Sequence, residues 1–236
     1  MKVYESAKVR NVALVGHQGA GKTTLAEAML LTSGAINRMG SVGEHNTVSD
    51  YHESEHAREM SVFASLMHAE HGGYKVNVLD TPGYPDFCGE VVTSLRVADA
   101  AVFVLNATDP VQVGTEMSWG YAQTADLPVM FVVNHCDKSG IDILNIVEQI
   151  QARFGRGATI LQLPVGDGSR AVIDLLTMKQ LTWPEGKSEP ESAEIGAGFK
   201  DAADKFREAL VENVAENDEK LLESFYEHGG LTEQEL

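Results

Sequence analysis

The stretch Gly16-His17-Gln18-Gly19-Ala20-Gly21-Lys22-Thr23 constrains this chain more than any other. It fits the phosphate-binding P-loop pattern, a glycine, four residues, then Gly-Lys-Ser/Thr. Asn11–Val15 before it is a short apolar run of strand type, and Thr24–Leu31 after it reads as a helix. A loop of this kind joins a strand to a helix, so it commits its neighbourhood to an α/β arrangement. Gly16, Gly19 and Gly21 permit backbone geometry that a Cβ would block. Successive N–H groups then converge into an anion-binding nest, reinforced by the helix N-terminus. Lys22 supplies a mobile positive charge for phosphates, and the Thr23 hydroxyl is suited to Mg²⁺. A glycine-rich turn that merely links strand to helix has no use for the Gly-Lys-Thr-Thr ending.

Strand-like and helix-like runs alternate through the first two thirds. The strand candidates are Val12–Val15, Val62–Met67, Tyr74–Leu79, Ala101–Leu105 and Val129–Val133. The helix candidates are Lys22–Leu31, Asp86–Val97, Thr115–Thr124 and Asp142–Phe154. Continuously apolar strands imply a sheet buried on both faces. The expected fold is therefore α/β, a doubly wound, mostly parallel sheet. Val62–Met67 and Tyr74–Leu79 flank His71-Gly72-Gly73, so they read as a hairpin with one antiparallel edge strand.

Ser33–Ser61 shows no clear period, and a stretch this long is a functional loop or disordered. It holds His45, His52 and His56, with His68 just beyond; their spacing matches no standard metal site. Past Gly157 the texture changes. Thr159–Val165 and Ala171–Thr182 read as strands, and Trp183–Pro190 as a breaker-rich linker. Phe199–Ala215 is amphipathic and acidic, with Phe199, Ala203, Phe206, Leu210 and Val214 on one face. Asp218–Tyr226 is a second such helix. Thr232 and Glu235 form a capping-box pattern, a helix start with no helix after it, which reads as a shortened chain.

Three further motifs sit at strand ends. Asp80-Thr81-Pro82-Gly83 offers a carboxylate for Mg²⁺, through water, and a glycine N–H for a γ-phosphate. Asn134-His135-Cys136-Asp137 suits guanine, whose N1–H and 2-amino group lie side by side. Asp137 can accept from both, whereas adenine offers no such pair. Asn134 would tie this loop to the P-loop. Arg58-Glu59-Met60-Ser61 closes the long loop, and the Ser61 hydroxyl is a third candidate Mg²⁺ ligand.

The formal charge is −17, from 18 basic and 35 acidic residues, which excludes autonomous nucleic-acid binding on electrostatic grounds. Two cysteines far apart, Cys88 and Cys136, fit a reducing compartment rather than a disulfide scaffold. No apolar run reaches the roughly 18 residues that span a bilayer. The start of the chain has no apolar segment typical of a signal peptide. The chain is expected to be cytoplasmic, without a membrane partner.

Taken together, these stretches resemble the GTP-binding domain of translational GTPases, in particular elongation factor G and its divergent paralogues. Gly16–Thr24 is similar to that family's P-loop, Asp50–Ser61 to its first switch, and Asp80–Phe87 to its second. Val111–Glu116 and Asn134–Asp137 follow in register. Leu161–Gly166 resembles the start of the family's insertion subdomain. The resemblance implies a GTP-binding core over residues 1–157 and an incomplete insertion subdomain over 158–236. It implies GTP and GDP as ligands with Mg²⁺, and a GTPase coupled to a ribosome-dependent step. Phosphate and base contacts fall to Gly16, His17, Gln18, Gly19, Ala20, Gly21, Lys22, Thr23, Thr24, Asp80, Thr81, Pro82, Gly83, Asn134, His135 and Asp137. The metal ligands are Thr23, Ser61 and Asp80. Partners would be the ribosome and, through the insertion, the ribosomal stalk protein.

There are departures. Ser61 replaces a threonine, His135 replaces the lysine of the guanine motif, and the family's late Ser-Ala pair is absent. Tyr84 stands where a histidine orients the attacking water, which makes Tyr84 the candidate water-positioning residue. Two alternatives follow. One is a non-catalytic, nucleotide-gated binding module, favoured by Tyr84 and His135. The other is an ATP-dependent P-loop enzyme, which Asp137 opposes.

Overall fold

The computed structural model describes residues 3–166, 170–185, 187 and 189–236. Gly186 and Ser188, within the expected linker, lie outside the described residues. The chain divides into two compact units, Met1–His135 and Cys136–Leu236.

In chain order the first unit contains β1 (Val9–Val15), α1 (Lys22–Thr32), α2 (Glu53–His56), β2 (Ser65–His71) and β3 (Tyr74–Asp80). It continues with α3 (Cys88–Leu95), β4 (Ala100–Asn106), α4 (Val113–Thr124) and β5 (Val129–Asn134). The sheet runs β2-β3-β1-β4-β5. β1 is parallel to β3 and β4, β4 is parallel to β5, and β2 alone is antiparallel, on β3. The fold is the expected α/β sheet with one antiparallel edge strand.

The strands pack apolar residues on both faces. Leu14, Met67 and Val78 meet Ala26 and Leu30 of α1 in one buried cluster. Phe103 of β4 is fully buried, and its ring lies 5.9 Å from that of Trp119 in α4 and 5.6 Å from Phe131 in β5. Covering both faces in this way is what a parallel sheet requires. In the register Leu14 lies opposite Asp80, and Asn106 opposite Asn134. The C-terminal ends of β1, β3 and β5 therefore lie on one edge of the sheet, where ligands of open α/β sheets bind.

The boundaries differ from the sequence expectation for local reasons. β2 begins at Ser65 rather than Val62, because the amides of Val62, Phe63 and Ala64 donate to carboxylates, not to a neighbouring strand. It runs on to His71, which pairs with Tyr74 across Gly72 and Gly73, both at positive φ (55° and 83°). That is the geometry of a tight two-residue hairpin. The expected Asp86–Val97 helix begins only at Cys88, after a 3-10 turn over Pro85–Phe87.

The second unit holds α5 (Ile143–Phe154), β6 (Gln162–Pro164), β7 (Ala171–Asp174), β8 (Lys179–Thr182), β9 (Glu191–Ala193), α6 (Ala197–Glu216) and α7 (Glu219–His228). β6 to β9 form an antiparallel sheet in sequence order. The single strand expected over Ala171–Thr182 is a hairpin. Asp174 accepts from Leu176 N and the Thr177 hydroxyl, and Met178 takes φ 54°, which turns the chain. Ala203 and Leu210 of α6 pack on Leu163, Ile173 and Leu175, whereas Phe199, expected on the same face, is 38% exposed. Asp218 caps α7 by accepting from Lys220 N and Leu221 N. Glu235 accepts from Thr232 N at 2.8 Å, closing a single turn. No helix among the described residues is long and apolar enough to cross a membrane.

Candidate functional site

The loop between β1 and α1 turns through three glycines at positive φ, Gly16 at 139°, Gly19 at 70° and Gly21 at 95°. A Cβ on Gly16 would strike the backbone oxygen of Val104, and Gly21 is constrained as well. It is the left-handed residue that opens α1, and a Cβ there would strike the Asn134 side chain. Inside this loop the Lys22 ammonium donates to Gly16 O at 3.0 Å and His17 O at 2.9 Å. Burial pushes Lys22 down to about 8, against the pull of Asp80. A buried ammonium held by two carbonyls at the mouth of a nest suits an anionic ligand.

The His17 ring is turned toward α4, where its Nδ1 accepts from Gly114 N at 3.2 Å. Burial and then the Lys22 charge lower its pKa, consistent with a neutral ring. His17 thus faces the P-loop with its backbone and α4 with its side chain. Gln18, Gly19 and Thr24 are exposed, and Ala20 is buried.

β3 delivers the second motif to the same edge. The Thr23 hydroxyl donates to Asp80 Oδ2 at 2.6 Å and lies 3.3 Å from Ser61 Oγ. Ser61 in turn donates to Asp50 Oδ1 at 2.8 Å. Asp50 went unassigned in the sequence. Only folding brings it, eleven residues before Ser61, to the same place. The remaining oxygens, Asp50 Oδ2 and Asp80 Oδ1, are buried without a hydrogen-bond partner. Burial pushes Asp80 up to about 6, opposed by the Thr23 hydrogen bond and by Lys22. The nearby Ser49 hydroxyl also opposes the rise, although it makes no hydrogen bond of ordinary geometry. Burial likewise raises Asp50, against the Ser61 hydrogen bond.

Two buried carboxylates with unsatisfied oxygens, beside two hydroxyls, are a hard oxygen donor set of the kind Mg²⁺ takes. The residues present fit that ion. The histidines of the long loop do not converge in this way. The His45 and His56 rings are 5.0 Å apart, while His52 lies between Tyr51 and Phe63. Among the described residues no three His, Cys, Asp or Glu side chains gather as a metal set.

The second motif is locked to the P-loop strand by Thr81, whose buried hydroxyl donates to Leu14 O at 2.7 Å. Gly83 then passes so close that a Cβ would lie 2.6 Å from both Gln18 N and Lys22 Nζ. Tyr84 follows in extended conformation and lines a small cleft with Pro82, Cys88, Gly114, Met117 and Tyr121.

At the end of β5, Asn134 Nδ2 donates to Ala20 O at 2.9 Å, and His135 Nε2 lies 3.3 Å from Gly19 O. His135 sits at φ 62°, an unusual conformation for a non-glycine residue. Asp137 is exposed and belongs to the second unit.

A parallel sheet with a glycine nest, a buried lysine and a hydroxyl–carboxylate pair at one edge defines a P-loop nucleotide-binding protein. Residues 7–229 match the family described as elongation factor Tu GTP binding domain, and the chain belongs to that family. It is a GTP-binding domain of the elongation-factor type, from a class of GTP hydrolases whose members bind GTP and GDP, generally with Mg²⁺. A crystal structure of a protein from Thermus thermophilus is similar, with 37% identity and a TM-score of 0.88 over 94% of this chain. The match covers 33% of that protein, so this chain spans about a third of its length.

Proposed function

We propose that the chain is the GTP- and GDP-binding part of an elongation factor G-like translational GTPase, with a nucleotide core over 1–157 and an insertion subdomain over 158–236. The observation that carries this reading is the meeting of three strand ends: Lys22 after β1, Asp80 ending β3 on Thr23, and Asn134 ending β5 on Ala20.

In this reading the P-loop amides and Lys22 bind the phosphates. Thr23, Ser61 and Asp80 hold Mg²⁺, which supplies charge neutralisation on phosphate oxygens. The Gly83 N–H senses the γ-phosphate through its close approach to the P-loop. The Tyr84 phenol accepts a hydrogen bond from the attacking water and holds it in line. Asn134 positions the base loop, and Asp137 accepts from the guanine N1–H and 2-amino group. Hydrolysis is coupled to a ribosome-dependent step in the cytoplasm, with the insertion as a contact for the ribosomal stalk protein.

A second reading is favoured by Tyr84, since a phenol is a weaker general base than an imidazole. It is a nucleotide-gated binding module that binds GTP without hydrolysing it.

Calorimetric competition of GTP, GDP, ADP and XDP tests the base assignment. Wild type is expected to bind GDP and reject ADP. Asp137→Asn should lose roughly 2–4 kcal/mol toward GDP and gain preference for XDP, whose 2-oxo group suits an amide donor. Equal binding of ADP and GDP would sink the guanine assignment.

A further inference from the structure

Glu55 lies in the single-turn helix α2, yet it is only 1% exposed. Its Oε1 accepts from Val62 N at 3.0 Å and Phe63 N at 3.1 Å, and its Oε2 from His52 N at 3.2 Å. An ionised carboxylate is costly to bury unless hydrogen bonds satisfy it, and three backbone donors converge here. Their positions matter. Val62 directly follows Ser61, and His52 is two residues after Asp50. One carboxylate therefore fixes both ends of the segment whose Ser61 and Asp50 meet at 2.8 Å.

Two further glutamates treat the same stretch alike. Glu27 of α1, also 1% exposed, accepts from Gly40 N at 2.7 Å and Val48 N at 2.6 Å. Glu90 of α3 accepts from Ala64 N at 2.9 Å. The stretch from Gly40 to Ala64 has little regular structure of its own. The backbone N–H groups of Gly40, Val48, His52, Val62, Phe63 and Ala64 are instead taken up by carboxylates: Glu27 from α1, Glu90 from α3, and Glu55 from the short helix α2 within the stretch itself.

We propose that Glu55 is a positioning residue for the cation site. It presents Ser61 and Asp50 to Thr23 and Asp80 without touching the cation or the nucleotide, and Glu27 and Glu90 hold the flanks. This rests on the guanine-nucleotide reading above. The charge of Glu55 is less important than its acceptor geometry. A glutamine can keep one oxygen on Val62 and Phe63 and loses only the His52 contact, whereas alanine loses all three.

The test compares the 236-residue wild type with Glu55→Ala and Glu55→Gln. Binding of GTPγS is followed against Mg²⁺ concentration and again in EDTA. Amide hydrogen exchange of nucleotide-free protein is followed over residues 50–63. Glu55→Ala is expected to raise the Mg²⁺ needed for half-maximal GTPγS binding at least tenfold. Its affinity in EDTA should stay within threefold, because the P-loop is untouched. Exchange should speed up over 50–63 but not in β1 or β4. Glu55→Gln should restore the Mg²⁺ requirement to within threefold of wild type. If the alanine variant loses affinity equally with and without Mg²⁺, or exchanges over 50–63 as slowly as wild type, Glu55 is not positioning the site. If wild type binds no GTPγS at all, the functional reading falls, and the exchange contrast between the two variants alone decides the role of Glu55.

Discussion

The Thr23 hydroxyl, in the first turn of α1, donates to Asp80 at the end of β3 across 2.6 Å. This contact joins the P-loop to the second motif through two of the side chains proposed to hold Mg²⁺. It also leaves Asp80 Oδ1 buried and unsatisfied, 1% exposed as a residue, beside a lysine whose charge is itself costly to bury.

Asp80→Asn should therefore act on cation affinity more than on nucleotide affinity. The amide keeps the shape and the Thr23 contact but removes the negative charge. A loss on the order of 10–100-fold in Mg²⁺ affinity is expected, the range found when groups supporting a metal site are altered. GDP affinity in EDTA should change little. Mg²⁺ titration of fluorescent GDP binding measures both, and an unchanged Mg²⁺ midpoint would remove Asp80 from the metal site.

Lys22 gives nucleotide binding a pH dependence. Burial lowers its pKa to about 8 in the free protein. A bound phosphate favours the charged form and raises that value. Below pH 8 Lys22 is already protonated, so this group leaves the affinity flat. Above pH 8 the free protein must take up a proton to bind, so GDP affinity should fall, by at most tenfold per pH unit. Measured in EDTA from pH 6.5 to 9.5, the profile should break near 8. A flat profile across that range would mean that Lys22 does not carry the phosphate charge.

Gly83→Ala should separate the two nucleotides. The added Cβ would sit 2.6 Å from Gln18 N, a backbone atom that cannot swing aside. The second motif must then move away from the P-loop. GDP affinity is expected to hold within a few-fold, while single-turnover GTP hydrolysis falls at least tenfold, as misplaced positioning groups cost. Hydrolysis at the wild-type rate would show that the close approach of Gly83 has no part in the reaction.

Tyr84→Phe tests the water-positioning role. The phenol can accept a hydrogen bond from water, and such contributions are worth on the order of 10²–10⁴ in rate. Histidine, with a reference pKa of about 6.5, suits the task better at neutral pH. In single-turnover GTP hydrolysis, Tyr84→Phe is expected to be the slowest of wild type, Tyr84→His and Tyr84→Phe. GTP affinity should stay within a few-fold in all three. If Tyr84→Phe keeps pace with wild type, Tyr84 is a packing residue of the cleft it lines with Cys88 and Tyr121.

The strand–P-loop–helix unit, the parallel sheet with its antiparallel edge, and the strand ends at Asp80 and Asn134 were all legible in the amino-acid order. Each is written in local signals: glycines ahead of Lys22, continuous apolar strands, and polar breakers where the strands stop. The same signals misplaced the start of β2. Val62 and Phe63 have strand-forming side chains, yet their amides are bound by Glu55, a competition that periodicity cannot show. The rest of the site took shape only through long-range packing. Glu27 reads as an ordinary polar position of a helix, and Asp50 and Glu55 as acids in a stretch without period. Their roles arise from burial, because a carboxylate taken out of water must find donors, and here the nearest are the backbone amides and the Ser61 hydroxyl of the long loop. A sequence records which residues can make such contacts, whereas the distances that choose among them exist only once β1, β3 and α1 have brought those residues together.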